Sequence, residues 1–219
     1  MTALAAKTRP RRRDTPERAH SVAASLFAEK GYDATTTREI SKALQITNGT
    51  FYHHFESKEQ LLSSICLSAL EELAEAVGAE VRAATGPLDA LQSLVRTHLE
   101  VVSTAREAHV TMLTELRALE GERRDRVVCA RDGYERQVEE TIDAAVGAGL
   151  LRSDVPPRRL TLYLLSMINW TIFWLRPDGE VPAVQIADEM LTIFLNGALD
   201  SSPPRPPAEL GQVPRLPED

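Results

Sequence analysis

Residues 36–58, TTREISKALQITNGTFYHHFESK, contain the pattern that decides how this chain folds. Thr36 can cap a short helix, and Glu39 stands three residues later, where a capping box places its acidic residue. Ile40 and Leu44 are one helical turn apart, so their apolar side chains share a face. The first part of the stretch therefore predicts a short amphipathic helix that ends in a turn.

A second helix should follow that turn. Thr47 or Asn48 can cap it, and it should end near His54. Phe51 and Phe55 are one turn apart and should point inward. The opposite face then carries short or hydrogen-bonding groups: Asn48, Gly49, Thr50, Tyr52 and His53. In a helix-turn-helix the N-terminal residues of the second helix contact DNA bases. A helical hairpin in a core is the alternative, but it does not explain this polar set.

The charge of the chain is unevenly distributed around this stretch. The net charge is -7, yet residues 1–58 hold ten Lys and Arg against six Asp and Glu. Residues 1–13, MTALAAKTRPRRR, hold five of these basic residues and no acid. We expect this arm to be disordered when free, and able to contact phosphates or a minor groove. A basic N-terminal part on an acidic body is typical of a protein of which one part binds nucleic acid.

The composition predicts an all-α protein. The chain has 219 residues, of which 43% are hydrophobic and 5% aromatic, and Ala, Leu, Glu and Arg dominate. We expect a three-helix helix-turn-helix domain followed by a larger helical bundle. The predicted organisation is a disordered basic arm at 1–13, a DNA-binding domain at 14–60, the bundle at 61–200 and a disordered Pro-rich tail at 201–219.

Two later helices have particular roles in this prediction. Ser57 should begin a long helix that links the two domains, and Lys58 at its start is placed to meet a phosphate. Residues 160–175, LTLYLLSMINWTIFWL, are apolar nearly all round and should be buried on most sides. They are too short and too polar for a membrane span, and no membrane partner is expected. A final helix over 184–198 should present Ile186, Met190, Ile193 and Phe194 on one face.

Catalytic and metal-binding patterns are weak in this sequence. Cys66 and Cys129 fit no metal spacing, and we expect both to be reduced and buried in a cytoplasmic protein. Only one Glu-x-x-His motif occurs, at Glu17, whereas di-iron bundles need two. His98 and His109 are isolated and should be exposed or hydrogen-bonded. We therefore expect no metal, no cofactor and no enzymatic activity, with a helical-bundle enzyme as a remote alternative.

Residues 15–62 resemble the TetR family of bacterial transcriptional regulators. The resemblance rests on residues 26–62, LFAEKGYDATTTREISKALQITNGTFYHHFESKEQLL. The family pattern has a helix ending in Gly-aromatic, then Thr-Thr, a helix, a turn, Gly-x-hydrophobic-Tyr-x-His-Phe and Ser-Lys-Glu-x-Leu. Ser41, where many members have Ala, is a small departure. The resemblance implies a homodimeric repressor that binds an inverted-repeat operator in double-stranded DNA and is released by a small-molecule effector.

The resemblance also implies roles for individual residues. The helical bundle of residues 61–200 would bind the ligand and form the dimer, and dimerisation would use the last two helices. The expected DNA contacts are Thr36, Thr37, Arg38, Thr47, Asn48, Gly49, Thr50, Tyr52, His53 and Lys58. Candidate ligand contacts in the apolar interior are Met112, Met167, Asn169, Trp170 and Trp174, although plain core packing is an alternative for each.

The body more weakly resembles a subgroup that responds to acyl-CoA thioesters. Residues 145–150 (AVGAGL), 167–170 (MINW) and 174–179 (WLRPDG) carry this likeness. Leu175 departs from the subgroup, which usually has Tyr before Arg-Pro. The sequence therefore predicts a hydrophobic effector, with an acyl-CoA as one candidate and a free drug or metabolite as the alternative.

Overall fold

The computed structural model describes residues 15–176 and 179–196, and these residues form a helical assembly. The α-helices are α1 (Thr15–Lys30), α2 (Thr37–Leu44), α3 (Asn48–His54), α4 (Lys58–Ala83), α5 (Pro87–Thr104), α6 (Arg106–Glu115), α7 (Gly121–Gly147), α8 (Pro157–Asn169) and α9 (Ala183–Asn196). Two short 3-10 turns, Leu116–Ala118 and Trp170–Phe173, follow α6 and α8. The all-α prediction is confirmed. The basic arm and the Pro-rich tail lie outside the described residues.

The caps predicted for α2 and α3 are present. The Thr36 hydroxyl accepts a hydrogen bond from the Glu39 amide at 3.2 Å, and the Glu39 carboxylate accepts one from the Thr36 amide at 2.9 Å. Gln45 ends α2 with a left-handed φ of 59°. Thr47 then caps α3 by accepting from the Thr50 amide at 3.1 Å. These local bonds satisfy backbone amides at the start of each helix and fix where α2 and α3 begin.

One hydrophobic core lies beneath α2 and α3. Ile40 and Leu44 from α2 and Phe51 from α3 are buried against Phe27 of α1. Gly31 ends α1 with φ +84°, a conformation that costs glycine little. We call α1–α3 together with the beginning of α4 the head. Its core follows α4 as far as Leu70 and also takes in Met112, Leu119 and Val127 from the rest of the chain.

A second core lies within the remaining helices, which we call the body. Leu73 and Val77 of α4 pack there with residues of α5, α7, α8 and α9. Because α4 belongs to both cores, a continuous helix of 26 residues joins head and body. Its length is about 39 Å at 1.5 Å per residue.

The segment after Pro157 differs from its prediction. The sequence predicts one helix buried on most sides, but α8 ends at Asn169 and a 3-10 turn follows. Leu160, Leu164 and Ile168 face the core at helical spacing. The other face is open in the single chain, and its large exposed apolar side chains are Leu162, Tyr163, Trp170, Phe173 and Trp174. A helix on the outside of a bundle covers only one of its faces, so a uniformly apolar helix leaves the other uncovered.

The last helix buries only part of its apolar surface. In α9, Ala187 and Leu191 are the buried residues, while Ile193 is exposed. Ile186, Met190 and Phe194 are half-buried against the second core. Apolar residues therefore occupy more than one face of α9. In the described parts of the chain, none of the helices is long and apolar enough to cross a membrane.

Charged contacts supplement the apolar joint between head and body. Arg123, in the first turn of α7, reaches Glu59 at 3.4 Å and Glu56 at 3.3 Å. Glu59 also accepts a hydrogen bond from the Glu120 amide at 3.1 Å. The start of α7 is thereby held against the start of α4.

Candidate functional site

The outer face of α3 forms a polar surface on the head. Asn48, Gly49 and His53 are exposed and Thr50 is half-buried, whereas Phe51 is fully buried. Tyr52 is 54% exposed and packs its ring edge-on against Phe51. The buried phenylalanine therefore anchors α3 while its polar side chains remain free to contact a ligand.

The beginning of α2 continues this surface. Thr36 and Arg38 are exposed and Thr37 is half-buried. The Thr37 hydroxyl lies 3.4 Å from the Tyr52 hydroxyl, which links the two helices across the face. Thr47, the exposed cap of α3, lies on the turn between them. The structure thus brings nine of the ten predicted DNA contacts onto α2, α3 and their turn.

Glu39 is an acid within this surface, and its charge has local partners. Hydrogen bonds from the Thr36 amide, the Lys30 ammonium and the Thr36 hydroxyl lower the pKa of Glu39 to about 2. Lys30 lies 3.1 Å away. The carboxylate is therefore ionised at neutral pH. It completes the capping box of α2, and its negative charge is paired with the Lys30 ammonium.

Lys58, the tenth predicted DNA contact, bonds to backbone carbonyls of its own chain. Its ammonium donates to the Tyr32 carbonyl at 2.7 Å and the Thr35 carbonyl at 2.8 Å, and lies 3.9 Å from the centre of the Tyr32 ring. Partial burial lowers the pKa of Lys58, opposed by Asp33 and Glu115. In the chain without DNA, the long side chain therefore folds back and closes the loop before α2, and its predicted contact with a phosphate stays a prediction.

The net positive charge of residues 1–58 comes from the part before residue 15, outside the described residues. Within residues 15–58, five Lys and Arg are matched by five Asp and Glu. The excess predicted for residues 1–58 therefore lies in the basic arm. Shape and hydrogen-bonding groups, rather than net charge, distinguish the described face of the head.

A small cavity of about 80 Å³ lies between α4, α6, α7 and α8 in the body. Leu70, Leu73, Met112 and Leu165 contribute apolar wall, and Tyr134 and Asn169 contribute polar groups. Leu113, Arg131 and Glu135 complete the lining. Of the five predicted ligand contacts, Met112 and Asn169 lie on this wall.

The other three predicted ligand contacts lie elsewhere. Trp170 and Trp174 are 64% and 50% exposed, and Trp170 stacks on Phe173 with ring centres 4.5 Å apart. Met167 is half-buried on α8. The prediction that both tryptophans face the interior is wrong, since the 3-10 turn after Asn169 directs them to the outside of the bundle.

Buried polar residues next to the cavity escape prediction from the sequence. His98 and Tyr134 are joined by a 2.7 Å hydrogen bond between Nδ1 and the hydroxyl. His98 and His109 are fully buried, not exposed, and each has an Nε2 atom without a partner in the described structure. The sequence nevertheless contains a pattern that indicates burial of His98, because this residue continues the apolar stripe of Leu91, Leu94 and Val95 on α5 at helical spacing.

The electrostatic state of these groups follows from burial. Burial and then the neighbouring His109 lower the pKa of His98 to about 3, opposed by the Asn169 side chain. Burial lowers the pKa of His109 to about 4, opposed by Glu72. Both imidazoles are therefore neutral near pH 7, and each has one donor and one acceptor nitrogen.

The remaining candidates for metal binding or thiol chemistry are His20 and the two cysteines, Cys66 and Cys129. His20 of the Glu-x-x-His motif bonds to Ser64 at 2.9 Å, within the head. Across the described residues, no group of three or more His, Cys, Asp or Glu is arranged to hold a metal ion. Cys66 is buried as predicted, but Cys129 is exposed on α7.

Comparisons with known sequences agree with this architecture. Residues 21–65 match the profile described as bacterial regulatory proteins of the tetR family. Residues 84–198 match the profile of the tetracyclin repressor-like C-terminal domain. The HTH-type transcriptional repressor KstR2 of Rhodococcus jostii is 30% identical over 177 residues, covering 80% of this chain and 87% of that protein.

Solved structures give the same result. The TetR family regulator PfmR of Thermus thermophilus has a TM-score of 0.78 and 33% identity, covering 84% of this chain and all of that one. AibR in complex with isovaleryl coenzyme A and operator DNA has a TM-score of 0.75 and 29% identity, covering 82% and 97% of the two chains. The head, the body and both profiles lead to one conclusion: the chain belongs to the TetR family of transcriptional regulators.

Proposed function

We propose that this regulator is a repressor that binds an inverted-repeat operator as a homodimer and leaves it when a small acyl-CoA thioester binds the body. Residues 14–60 read the DNA, and residues 61–200 bind the effector and form the dimer. The basic arm of residues 1–13 adds contacts to the DNA backbone, and residues 201–219 form a tail outside these domains. The relatives are transcriptional regulators, so a helical-bundle enzyme is not proposed.

The observation that carries the DNA-binding role is the exposed polar face shared by α2 and α3. The N-terminal residues of α3 are free, and its aromatic anchors are buried beneath them. Gly49 lacks a side chain where the helix would approach a base edge, which permits close contact. Thr36, Thr37, Arg38, Thr47, Asn48, Thr50, Tyr52 and His53 supply the hydrogen-bonding groups of this surface.

The open face of α8 and its 3-10 turn supports dimerisation. Leu162, Tyr163, Trp170, Phe173 and Trp174 leave a large apolar area exposed in the single chain. Pairing this face and α9 with the same elements of a partner would bury it in a four-helix interface. Two heads placed in this way would read half-sites about 34 Å apart, one helical turn of DNA.

The acyl-CoA class of effector is supported by a relative and by a local charge. AibR, with a TM-score of 0.75, was solved with isovaleryl coenzyme A. In this chain Arg131 lies on the wall of the body cavity and is half-exposed, with its guanidinium 3.1 Å from the Asp132 carboxylate. An apolar cavity beside a guanidinium suits a ligand with an apolar acyl end and an anionic remainder.

The DNA-binding proposal is tested by selecting a duplex from a random-sequence pool with the purified protein and measuring its affinity by fluorescence anisotropy. Asn48→Ala and Tyr52→Ala should each weaken binding by about 5- to 150-fold, the range that one to three kcal/mol of base contact represents. Ser25→Ala, on the exposed side of α1, is the matched control and should bind like the original protein. Undiminished affinity in both α3 variants, with the dimer intact, would refute the assignment of α3 as the recognition helix.

A further inference from the structure

A groove of about 290 Å³ lies where the head meets the body, between α1, the middle of α4 and the turn that joins α5 to α6. Its walls carry small or apolar side chains: Ala24, Ile65, Ala69, Ala105 and Ala108. An engineered cavity of about 150 Å³ holds benzene. The groove therefore has room for one or two long side chains, and it shares no lining residue with the body cavity.

Each wall of this groove also contributes a carboxylate. Glu17 comes from α1, Glu72 from α4 and Glu107 from α6, and all three are exposed. Within the described part of the chain, none of the three forms an ion pair with a Lys or Arg. Arg18 and Arg106 are sequence neighbours of Glu17 and Glu107, but neither lines the groove. The groove therefore presents three negative charges beside an apolar floor.

The surroundings of His20 show that two of these carboxylates converge. The His20 Nε2 atom lies 2.9 Å from the Ser64 hydroxyl, at the side of the groove. Burial lowers the pKa of His20, and the charges of Glu72 and Glu17 oppose that effect. The imidazole is therefore mainly neutral near pH 7 and does not neutralise the carboxylates.

The basic arm joins α1 at one end of this groove. Residues 9–13, RPRRR, hold four arginines, and Glu17 lies in the first turn of the helix that follows. Nine helical positions from Thr15 to Ala24 rise about 14 Å. Five residues span up to about 17 Å when extended. The arm is therefore long enough to fold back along the groove.

The chemistry of arginine suits the groove. A guanidinium can donate two parallel hydrogen bonds to one carboxylate, while the alkyl stem packs against an apolar wall. Each exposed ion pair is weak by itself. A short tether, however, keeps the arm at an effective concentration in the millimolar range. The arm of another molecule or a free cationic ligand has no such tether, so the chain's own arm is the favoured occupant.

We propose that residues 9–13 dock in this groove when the protein is free of DNA, so that the groove and the DNA backbone compete for the same arginines. The inference rests on the proposed function, in which the arm contacts the DNA backbone. A protein whose binding-competent form is only a fraction of the total binds its ligand more weakly by that fraction. The groove thus lowers operator affinity from within the chain, independently of the effector.

Carbodiimide coupling tests the docking without DNA. The reagent joins an ammonium directly to a carboxylate, so it is applied to the full chain carrying Arg12→Lys, and the products are identified by mass spectrometry. We expect the introduced amine to couple to Glu72 and Glu107, and an operator duplex should reduce the yield of both products. Glu80, exposed near the far end of α4, is the control carboxylate and should not couple. Isotope-labelled and unlabelled protein, equilibrated together, separate coupling within one chain from coupling between two.

Operator affinity tests the competition. Glu72→Gln combined with Glu107→Gln should raise the affinity about three- to tenfold, the gain expected if the docked arm is free for about a tenth to a third of the time. Glu75→Gln combined with Glu80→Gln removes the same charge from exposed positions of α4 outside the groove. This control measures the general loss of repulsion and should change the affinity by less than about twofold, because salt screens distant charges.

An arm variant completes the comparison. In a chain in which all four arginines of residues 9–13 are replaced by Gln, the groove substitutions should raise operator affinity no more than the control pair does. The arm variant itself should bind the operator more weakly than the original protein, because it has lost phosphate contacts. Undiminished operator affinity in the arm variant would overturn the competition for these arginines, although α3 could still read the DNA.

The remaining outcomes separate the docking from the DNA-binding proposal. Absence of coupling to Glu72 and Glu107, or coupling only between two chains, overturns the docking of the arm in its own groove. Equal gains in affinity from the groove pair and the control pair overturn the competition. If the protein selects no duplex, the DNA-binding proposal fails, and the coupling without DNA still confirms or overturns the docking.

Discussion

Lys58 shows how one flexible side chain changes role once its surroundings are known. Its two bonds to the carbonyls of Tyr32 and Thr35 close the loop that leads into α2. Lys58→Met keeps the alkyl stem over the Tyr32 ring but loses both bonds. We expect it to lower the free energy of unfolding by about 2 kcal/mol, typical for hydrogen bonds from a charged group. Chemical denaturation followed by circular dichroism measures this difference.

Lys42→Met, an exposed charge at the end of α2, is the control and should change stability by less than about 0.5 kcal/mol. If Lys58→Met unfolds like the original protein yet loses affinity for the operator, the side chain serves a phosphate after all.

His98 and His109 make stability depend on pH. Their pKa values in the folded chain, about 3 and about 4, lie below the ordinary value of 6.5. The unfolded chain therefore binds more protons as the pH falls below 6.5, and folding stability decreases until the pH reaches the folded values. Each histidine contributes about 1.4 kcal/mol per pH unit inside that window.

Replacing His109 by Gln should make the loss of stability between pH 6.5 and pH 5 less steep than in the original protein, by up to about that amount per unit. Unfolding midpoints measured in matched buffers at each pH test this. Identical slopes for the two proteins would contradict a neutral, buried His109.

At the scale of the helices, the helix ends could be predicted from residues within one turn, whereas the exposure of the apolar faces could not. Thr36 and Thr47 form the caps expected from their spacing, because a cap depends only on neighbours within one turn. Trp170 and Trp174 were misplaced, because an apolar run looks alike whether it packs in its own core or against a second chain. The Tyr134–His98 contact joins residues 36 positions apart, and helical periodicity does not show which residues of two helices meet.

The 3-10 turn after α8 should be central to the dimer. Trp170 is 64% exposed and stacks on Phe173, so the turn presents a rigid aromatic pair. Trp170→Glu should weaken dimerisation by about 30-fold or more, since a central interface tryptophan contributes about 2 kcal/mol or more. Analytical ultracentrifugation over a range of concentrations measures the change. Leu88→Glu, which adds the same charge at an exposed leucine in the first turn of α5, is the control. An unaltered dimer in the Trp170 variant would move the interface away from this turn.

At the scale of the whole molecule, α7 connects the proposed effector site with the head. Tyr134 and Arg131 line the cavity, and Arg123 holds Glu56 and Glu59 beside the helix-turn-helix. Arg131 follows Arg123 by eight positions, which is about 12 Å of helix, a distance over which a helix moves nearly as a rigid body. A ligand that shifts the cavity wall of α7 would therefore also shift the start of α4. Coupling of this kind is a difference in free energy between the two bound states, typically equivalent to a 5- to 150-fold change in affinity.

Arg123→Ala should reduce that coupling while leaving both separate binding reactions nearly intact. Operator affinity measured with and without isovaleryl-CoA gives the coupling as a ratio. We expect the ratio to fall by about three- to fivefold, because partly exposed ion pairs contribute up to about 1 kcal/mol. Arg152→Ala removes an ion pair with Asp154 in the turn before α8, away from the head, and should leave the ratio unchanged. If Arg123→Ala keeps the full ratio, the signal reaches the head through the apolar contacts of α4 and α6 rather than through the charged contact at the start of α7.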